Sequence, residues 1–401
     1  MPLKACGGAV ALLLVLGGCD KLRAFHGLTP ARVVPPPAPP PVVLGPWLLQ
    51  PVPGQVTVAW TTREPSIGRV WYGTMDPDRL ATEEGEPVTD HRVVLLSLRP
   101  ATQYCYRVEG SPETAWFASP PPPGAEGPIK VLIYGNNSTN HGDHALVARA
   151  AAAEHPHLVL HTGDMVVSAG EEALWKIWFH EEHDLLAHAP ILAALGNHEI
   201  TDTGKAFGRF FQRRGMPAYG SFDYGPAHIV VLNAFEMPAG ATPQLVGISE
   251  TQKAWLDEDL RRVDVERHVW VLVHQSPFAH PAQPKPGRGG SDDVHAAIAA
   301  AHKIHRIDAV FAGHEPFYER GEIDGIRYFV VGGGGAPLDE PDPTFPTVEA
   351  AHKALSFVTV DVCGCHVSGK AKDIAGRVLD TFTLASCKEP CGAPLAAKGG
   401  P

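Results

Sequence analysis

The chain has 401 residues, 44% of them hydrophobic and 19% charged, a balance that excludes disorder of the bulk and allows two or three domains. Its formal net charge of −11 argues against a nucleic-acid binder, which needs a basic face, so no nucleic-acid partner is expected.

The N-terminus reads as an export signal over residues 1–18. Lys4 supplies the positive start, and the apolar run 9–16 is too short to span a membrane. Leu16-Gly17-Gly18-Cys19 resembles a bacterial lipoprotein box, in which Cys19 becomes the lipid-bearing N-terminus; an ordinary cleaved signal with a chance cysteine is the rival. Residues 19–45, with VVPPPAPPPVVLGP at 33–46, form an extended proline-rich tether that would hold a folded body off the membrane. The expected location is the bacterial cell envelope, anchored through lipid.

Residues 46–118 alternate with period two. QVTVAWTT (55–62), GRVWYG (68–73), HRVVLLSL (91–98) and TQYCYRVEG (102–110) predict short strands of a β-sandwich, and no cluster of reactive residues falls within them. SPPPPGAEGP predicts a linker at 119–128. From 129 to 384 the pattern becomes apolar strands followed by helices. Strands are predicted at 129–135, 158–164, 191–199, 228–235, 268–275 and 307–314, and helices at 142–154, 171–188, 249–263 and 291–305. Ser249 and Gln252 form a capping box for the third helix. Near-continuous apolar strands interleaved with helices imply an α/β domain with a covered sheet, so the whole chain is an α+β multi-domain protein.

Four cysteines, Cys363, Cys365, Cys387 and Cys391, cluster near the C-terminus, the last two in a flexible tail at 385–401. In an oxidising compartment they are candidates for two disulfides, with three possible connectivities. A zinc site is the rival, less suited to C-x-C and C-x3-C spacing. Cys105 has no obvious partner.

Polar residues gather where the strands of the α/β domain end: Gly135-Asn136-Asn137, Gly163-Asp164, Gly196-Asn197-His198-Glu199, His274-Gln275 and Gly313-His314-Glu315-Pro316. Glycine beside each cluster except His274-Gln275 permits a sharp turn, and ligands collect at the carboxyl ends of such strands. Asp164, Asn197, His274 and His314 offer two oxygens and two nitrogens, a set suited to Zn, Mn or Fe.

The pattern GD…GNHE…H…GHxxxYER resembles the calcineurin-like metallophosphoesterases, and more closely their bacterial branch similar to purple acid phosphatases. WTTREPSIGRVWYG and LRPATQYCYRV resemble the fibronectin III-like N-terminal module of that branch. The resemblance covers residues 46–384. It implies hydrolysis of phosphate esters by a metal-activated water, at two metals about 3.5–4 Å apart. It also implies that Asp164 bridges both ions and that Asn197, His274 and His314 complete the second site. The first site would take an Asp at 136, a Tyr at 167 and a His at 316, where this chain has Asn136, Val167 and Pro316. Asn136 remains only a weak ligand, and the histidine that some relatives carry in the first motif falls at Ser138. The expectation is therefore one divalent ion per chain.

His198 of GNHE resembles the family's catalytic histidine, with Glu199 expected to orient it. Arg320, His144 and His280 are candidates for binding substrate phosphate, with a structural salt bridge as the rival role for Arg320. His141 and His144 are near enough in sequence to stand in at the first site. VVGGGGAP (330–337) predicts a tight turn near the pocket and lacks P-loop spacing. Two functions remain open: a phosphoesterase with one intact metal site, or a catalytically inactive lipoprotein that binds a phosphorylated ligand.

Overall fold

The structure, a computed structural model, describes residues 39–386 except 84, 126, 139–140, 213–214, 237–246 and 284. The signal segment, Cys19, most of the tether, Cys387 and Cys391 lie outside the described residues.

Two sheets face each other across one core, with helices on their outer faces. The first has nine strands. Its centre is Ile129–Tyr134, Leu158–His161 and Ile191–Ala193, all parallel. One flank carries the antiparallel strands Ser356–Cys363, His366–Asp373 and Val378–Ala385. The second sheet has seven strands, with Ala227–Val231, His268–Val273, Ala309–Ala312 and Ile326–Val331 parallel at its centre. The strand period of two divides the layers. Val131, Ile133, Leu160, Ile229, Trp270, Leu272 and Phe311 point between the sheets. Their neighbours Leu132, Tyr134, Val159, Val230, Val271 and Val310 face the helices. Each such fully buried side chain stabilises the fold by roughly 1.5–3 kcal/mol.

Four helices lie close to the predicted segments: His141–Ala152, Glu172–Glu181, Glu250–Leu260 and Asp292–His302. The stretch predicted as one helix over 171–188 breaks at Glu182 and resumes as the short His183–Leu186. Ser249 caps its helix by accepting the N–H of Gln252 at 3.1 Å. The Gln252 side chain does not return to the cap. Its Oε1 accepts the N–H of Asn233 at 2.9 Å and its Nε2 donates to the Asn233 carbonyl at 2.9 Å, tying the helix to the end of a core strand.

The N-terminal strands form two groups around a core of their own that includes Val58, Trp60, Tyr72, Tyr104 and Phe117. One group is the four-stranded sheet Arg79–Thr82, Arg69–Gly73, Gln103–Val108 and Ala115–Ala118. The other, Val42–Val52, Gln55–Ser66 and Val88–Leu95, continues the nine-stranded sheet by pairing Leu49 with Ile191. The first strand therefore begins inside the segment expected to be tether. Residues expected to link the two parts are packed: Ser119, Pro120 and Pro121 are buried, and the Ser119 hydroxyl donates to the Arg99 carbonyl at 2.5 Å. Trp47 crosses the boundary and donates to the Phe210 carbonyl at 3.2 Å, with its ring 4.5 Å from that of Phe179.

Candidate metal centre

The parallel strands of both sheets end at one edge, and their C-terminal turns carry the polar residues. Three non-glycine residues there are left-handed: Asn136 (φ 60°), Asp164 (φ 57°) and His314 (φ 68°). Each costs of order 1–3 kcal/mol of local strain, held by surrounding contacts. The turns also approach closely. A Cβ on Gly196 would lie 2.3 Å from Asp164 Oδ1, and one on Gly334 would lie 2.2 Å from the Gly135 carbonyl oxygen.

Asp164, His274 and His314 offer ligand atoms that all lie within 4.8 Å of one another. His274 Nε2 is 3.3 Å from Asp164 Oδ2 and 3.1 Å from Asn197 Oδ1. His314 Nδ1 is 2.9 Å from Asn197 Oδ1 and 3.3 Å from His274 Nε2. Donors about 2.0–2.1 Å from one ion would be separated by roughly 2.9–3.3 Å, depending on whether the shell is octahedral or tetrahedral. The spacing therefore fits one ion.

Backbone carbonyls fix both imidazole tautomers. His274 Nδ1–H donates to the Thr162 carbonyl at 2.7 Å, and His314 Nε2–H donates to the Gly287 carbonyl at 2.7 Å. The remaining nitrogen of each ring faces the other donors, His274 Nε2 toward Asp164 and His314 Nδ1 toward Asn197, the outer-shell arrangement of a metal-binding histidine. Burial, reinforced by His274, lowers the His314 pKa to about 4 and keeps that ring neutral. For His274, burial favours the neutral ring, but the Asp164 carboxylate outweighs it and raises the pKa. Burial pushes Asp164 up, yet His274 and the other two histidines prevail and hold it ionised well below the usual carboxylate range. A cation held by Asp164 and His274 would take the place of the proton that Asp164 favours on His274.

Glu199 has a role different from the expected one. Its carboxylate accepts the N–H groups of Asp164 (2.8 Å), Met165 (2.8 Å) and Gly196 (2.9 Å), bracing two metal-site turns. Burial, followed by the nearby Asp164 charge, raises its pKa to about 7. His198 is oriented instead by Val167, whose carbonyl accepts its Nδ1–H at 2.8 Å. That leaves His198 Nε2 facing the pocket, 3.9 Å from Asp164 Oδ2, on a side chain one-third exposed.

Among the described residues, the neighbouring half of the edge has no such donor set. Asn136 Oδ1 accepts the His314 N–H at 2.9 Å and so splints the turn. Val167 offers only its carbonyl, and Pro316 is buried without a side-chain donor. Asp164 Oδ1 accepts the His198 N–H at 3.1 Å, leaving Oδ2 on the His274 side.

The three substrate candidates are engaged elsewhere. Arg320 pairs with Asp380 at 2.7 Å and also with Glu349. His280 bonds to Glu319 at 2.8 Å and stacks on Phe345. His144 lies between Glu181 (2.6 Å) and Glu182 (2.5 Å), and His141 stands 3.7 Å from Glu181, so neither joins the metal donors. The glycine run packs on the strand-end turn, with Ala336 N–H donating to the Asn136 carbonyl at 2.8 Å. Cys363 and Cys365 are both disulfide-bonded, and Cys105 is a buried thiol.

Sequence reasoning missed Arg288. It extends from the loop that accepts the His314 proton, and its Nη1 donates to the His314 carbonyl at 2.5 Å. Glycines on both sides in Gly287-Arg288-Gly289-Gly290 were the available signal. A separate groove of about 610 Å³ opens where Val42–Val52 and Ile191–Ala193 diverge, lined by Phe207, Phe211, Tyr219 and Trp255 and by none of the metal donors.

Residues 140–318 match the calcineurin-like phosphoesterase family. Phosphoenolpyruvate phosphatase of Allium cepa is 26% identical over 338 residues, covering 73% of this chain and 66% of that protein. Probable purple acid phosphatase 20 of Arabidopsis thaliana is 24% identical over 294 residues, covering 67% and 66%. The chain thus spans just under two thirds of the length of these curated relatives. Among solved structures, purple acid phosphatase from yellow lupin seeds aligns with a TM-score of 0.70 at 18% identity, covering 86% of this chain and 75% of that one. PhoD aligns with a TM-score of 0.67 at 13% identity, covering 90% and 95%.

Proposed function

We propose that this protein hydrolyses phosphate esters at a single divalent ion held by Asp164, Asn197, His274 and His314. The observation that carries the reading is the convergence of four donors, with each imidazole 2.9–3.3 Å from its nearest partners in the set and both tautomers set by backbone carbonyls. The phosphatase names of the relatives make phosphate monoesters the first substrate class to test.

A divalent ion in this pocket supplies Lewis acidity to a phosphoryl oxygen and to an attacking water. The chain's own groups do the rest. Asp164 and Asn197 place their oxygens against the two imidazoles, and Glu199 holds their turns in register. His198 keeps its Nδ1 proton on Val167 and presents Nε2 to the pocket; as the imidazolium, with Nε2 also protonated, it can pass that second proton to the departing ester oxygen and return to the neutral ring.

The missing donors at 136, 167 and 316 favour a second reading, an inactive protein that binds a phosphorylated ligand at the same ion. Metal analysis together with hydrolysis of a simple aryl phosphate separates the two. One ion per chain with turnover supports the enzyme; one ion with no turnover, and no change on replacing His198, supports the binding protein. No bound ion overturns both. We further place the chain at a membrane through lipid on Cys19. Fractionation of wild type against Cys19→Ala tests this, and an unchanged membrane fraction overturns it.

A further inference from the structure

We propose that Arg288 binds the substrate's phosphoryl group, supplying positive charge beside His314 at the metal centre. The inference rests on the proposed phosphoesterase reading and adds to it a residue for phosphate recognition.

Three observations carry it. Arg288 is exposed and tied to the centre, because one of its N–H groups donates to the carbonyl of His314, whose ring is a metal donor. The preceding residue is tied to the same histidine, since the Gly287 carbonyl accepts His314 Nε2–H at 2.7 Å. Loop and metal ligand are thus locked from both ends, and Gly289 N–H donates to Glu315 Oε1 at 2.7 Å, holding the loop on the next residue too.

The third observation is what the guanidinium does not do. It has five N–H donors, and only Nη1 has a partner among the described residues, the His314 carbonyl. No described carboxylate forms an ion pair with it, Glu315 included. Other cations on this side of the domain are neutralised: Arg320 by Asp380 and Glu349, and Lys285 by Asp339 at 2.8 Å. Asn136, Val167 and Pro316 bring neither a cation nor the ligands to hold one. A planar donor fork with unspent hydrogens, beside a metal centre, fits a phosphoryl oxygen pair.

The test uses the metal-loaded protein and orthophosphate as the probe, with binding followed by calorimetry and metal content measured on each variant. Arg288→Gln retains a donor for the His314 carbonyl but removes the charge. It should keep its metal and lose phosphate affinity by about 10- to 100-fold. Arg288→Lys should recover part of that loss, since a point charge replaces the fork. Phosphate affinity within about twofold of wild type in Arg288→Gln would overturn the proposal. So would loss of the metal in that variant, which would make Arg288 a brace for the His314 turn. Wild-type protein that retains metal but binds no phosphate overturns this inference and leaves the metal centre standing. Wild-type protein that retains no metal overturns the underlying reading as well.

Discussion

Two halves of one strand-end edge differ sharply in chemistry although they share a backbone. On one half, Asp164, Asn197, His274 and His314 bring four donor atoms together. On the other, Asn136 spends its oxygen on the His314 N–H, Val167 spends its carbonyl on His198, and Pro316 has nothing to offer. Yet Asn136 keeps a left-handed backbone, as Asp164 and His314 do. The turns are shaped by backbone contacts such as Asn136 N–H to the Gly163 carbonyl and Ala336 N–H to the Asn136 carbonyl. Metal capacity is therefore a property of a few side chains on a scaffold that stands without them.

The largest effect should come from the donor-rich half. His274→Ala removes a ligand and a lock on Thr162, so metal affinity should fall by at least about 100-fold and hydrolysis with it, as measured by metal retention on dialysis. Unchanged occupancy would mean that the ion sits elsewhere. His198→Ala should leave the metal in place and slow turnover by about 10²–10⁴-fold, the range for a lost general acid, read from kcat on an aryl phosphate.

The donor-poor half should respond only to paired change. Asn136→Asp or Pro316→His alone should leave one ion per chain. Together they add a carboxylate and an imidazole beside Asp164 and should bind a second ion. Proline also constrains Glu315, so the double variant reports whether the turn still has room. Additive small effects would show that this half has been reshaped as well as stripped.

Smaller effects concern stability. Glu199→Gln leaves one acceptor oxygen for three strong backbone donors and should cost about 1–3 kcal/mol, measured by denaturant unfolding. The smallest is a pH slope. Burial alone would lower the His144 pKa, but its bonds to Glu181 and Glu182 outweigh that and raise it to about 9, from an ordinary 6.5. Its contribution is fully present below pH 6.5 and is lost as pH rises through 9. His228, raised to about 9 by Asp223 and Asp259 against its own burial, acts in the same window. His144→Gln should therefore flatten, without abolishing, the fall of Tm between these values; an unchanged slope would mean that His144 is not the titrating group.

Much of the metal centre was legible because it is written locally. A strand of apolar residues, a glycine and a polar group mark three of the donor turns, and His274 ends an apolar strand without a glycine. The lack of side-chain ligands at 167 and 316 was legible for the same reason, since proline and valine have no donor in any fold, whereas only the fold showed that the Asn136 oxygen is engaged with the His314 N–H. The helices were legible from their caps and period, whereas the C-terminal strands His366–Asp373 and Val378–Ala385 were not. His366–Asp373 alternates polar with small residues and becomes a strand by pairing with the apolar Ser356–Cys363, and Val378–Ala385 is then paired along its other edge.

Long-range hydrogen bonds decided the remainder. Arg320, His144 and His280 looked available for phosphate until Asp380, Glu181 with Glu182, and Glu319 closed on them. Glu199 lies next to His198 in the chain, yet its oxygens turn to backbone donors 34 and 35 residues away. Arg288 looked like loop until the fold laid it on His314. Residue type by itself determined which groups can donate, ligate or carry charge. Which of them are left with that capacity unspent was settled only by tertiary structure, because a buried polar group must find a partner and the fold chooses which one.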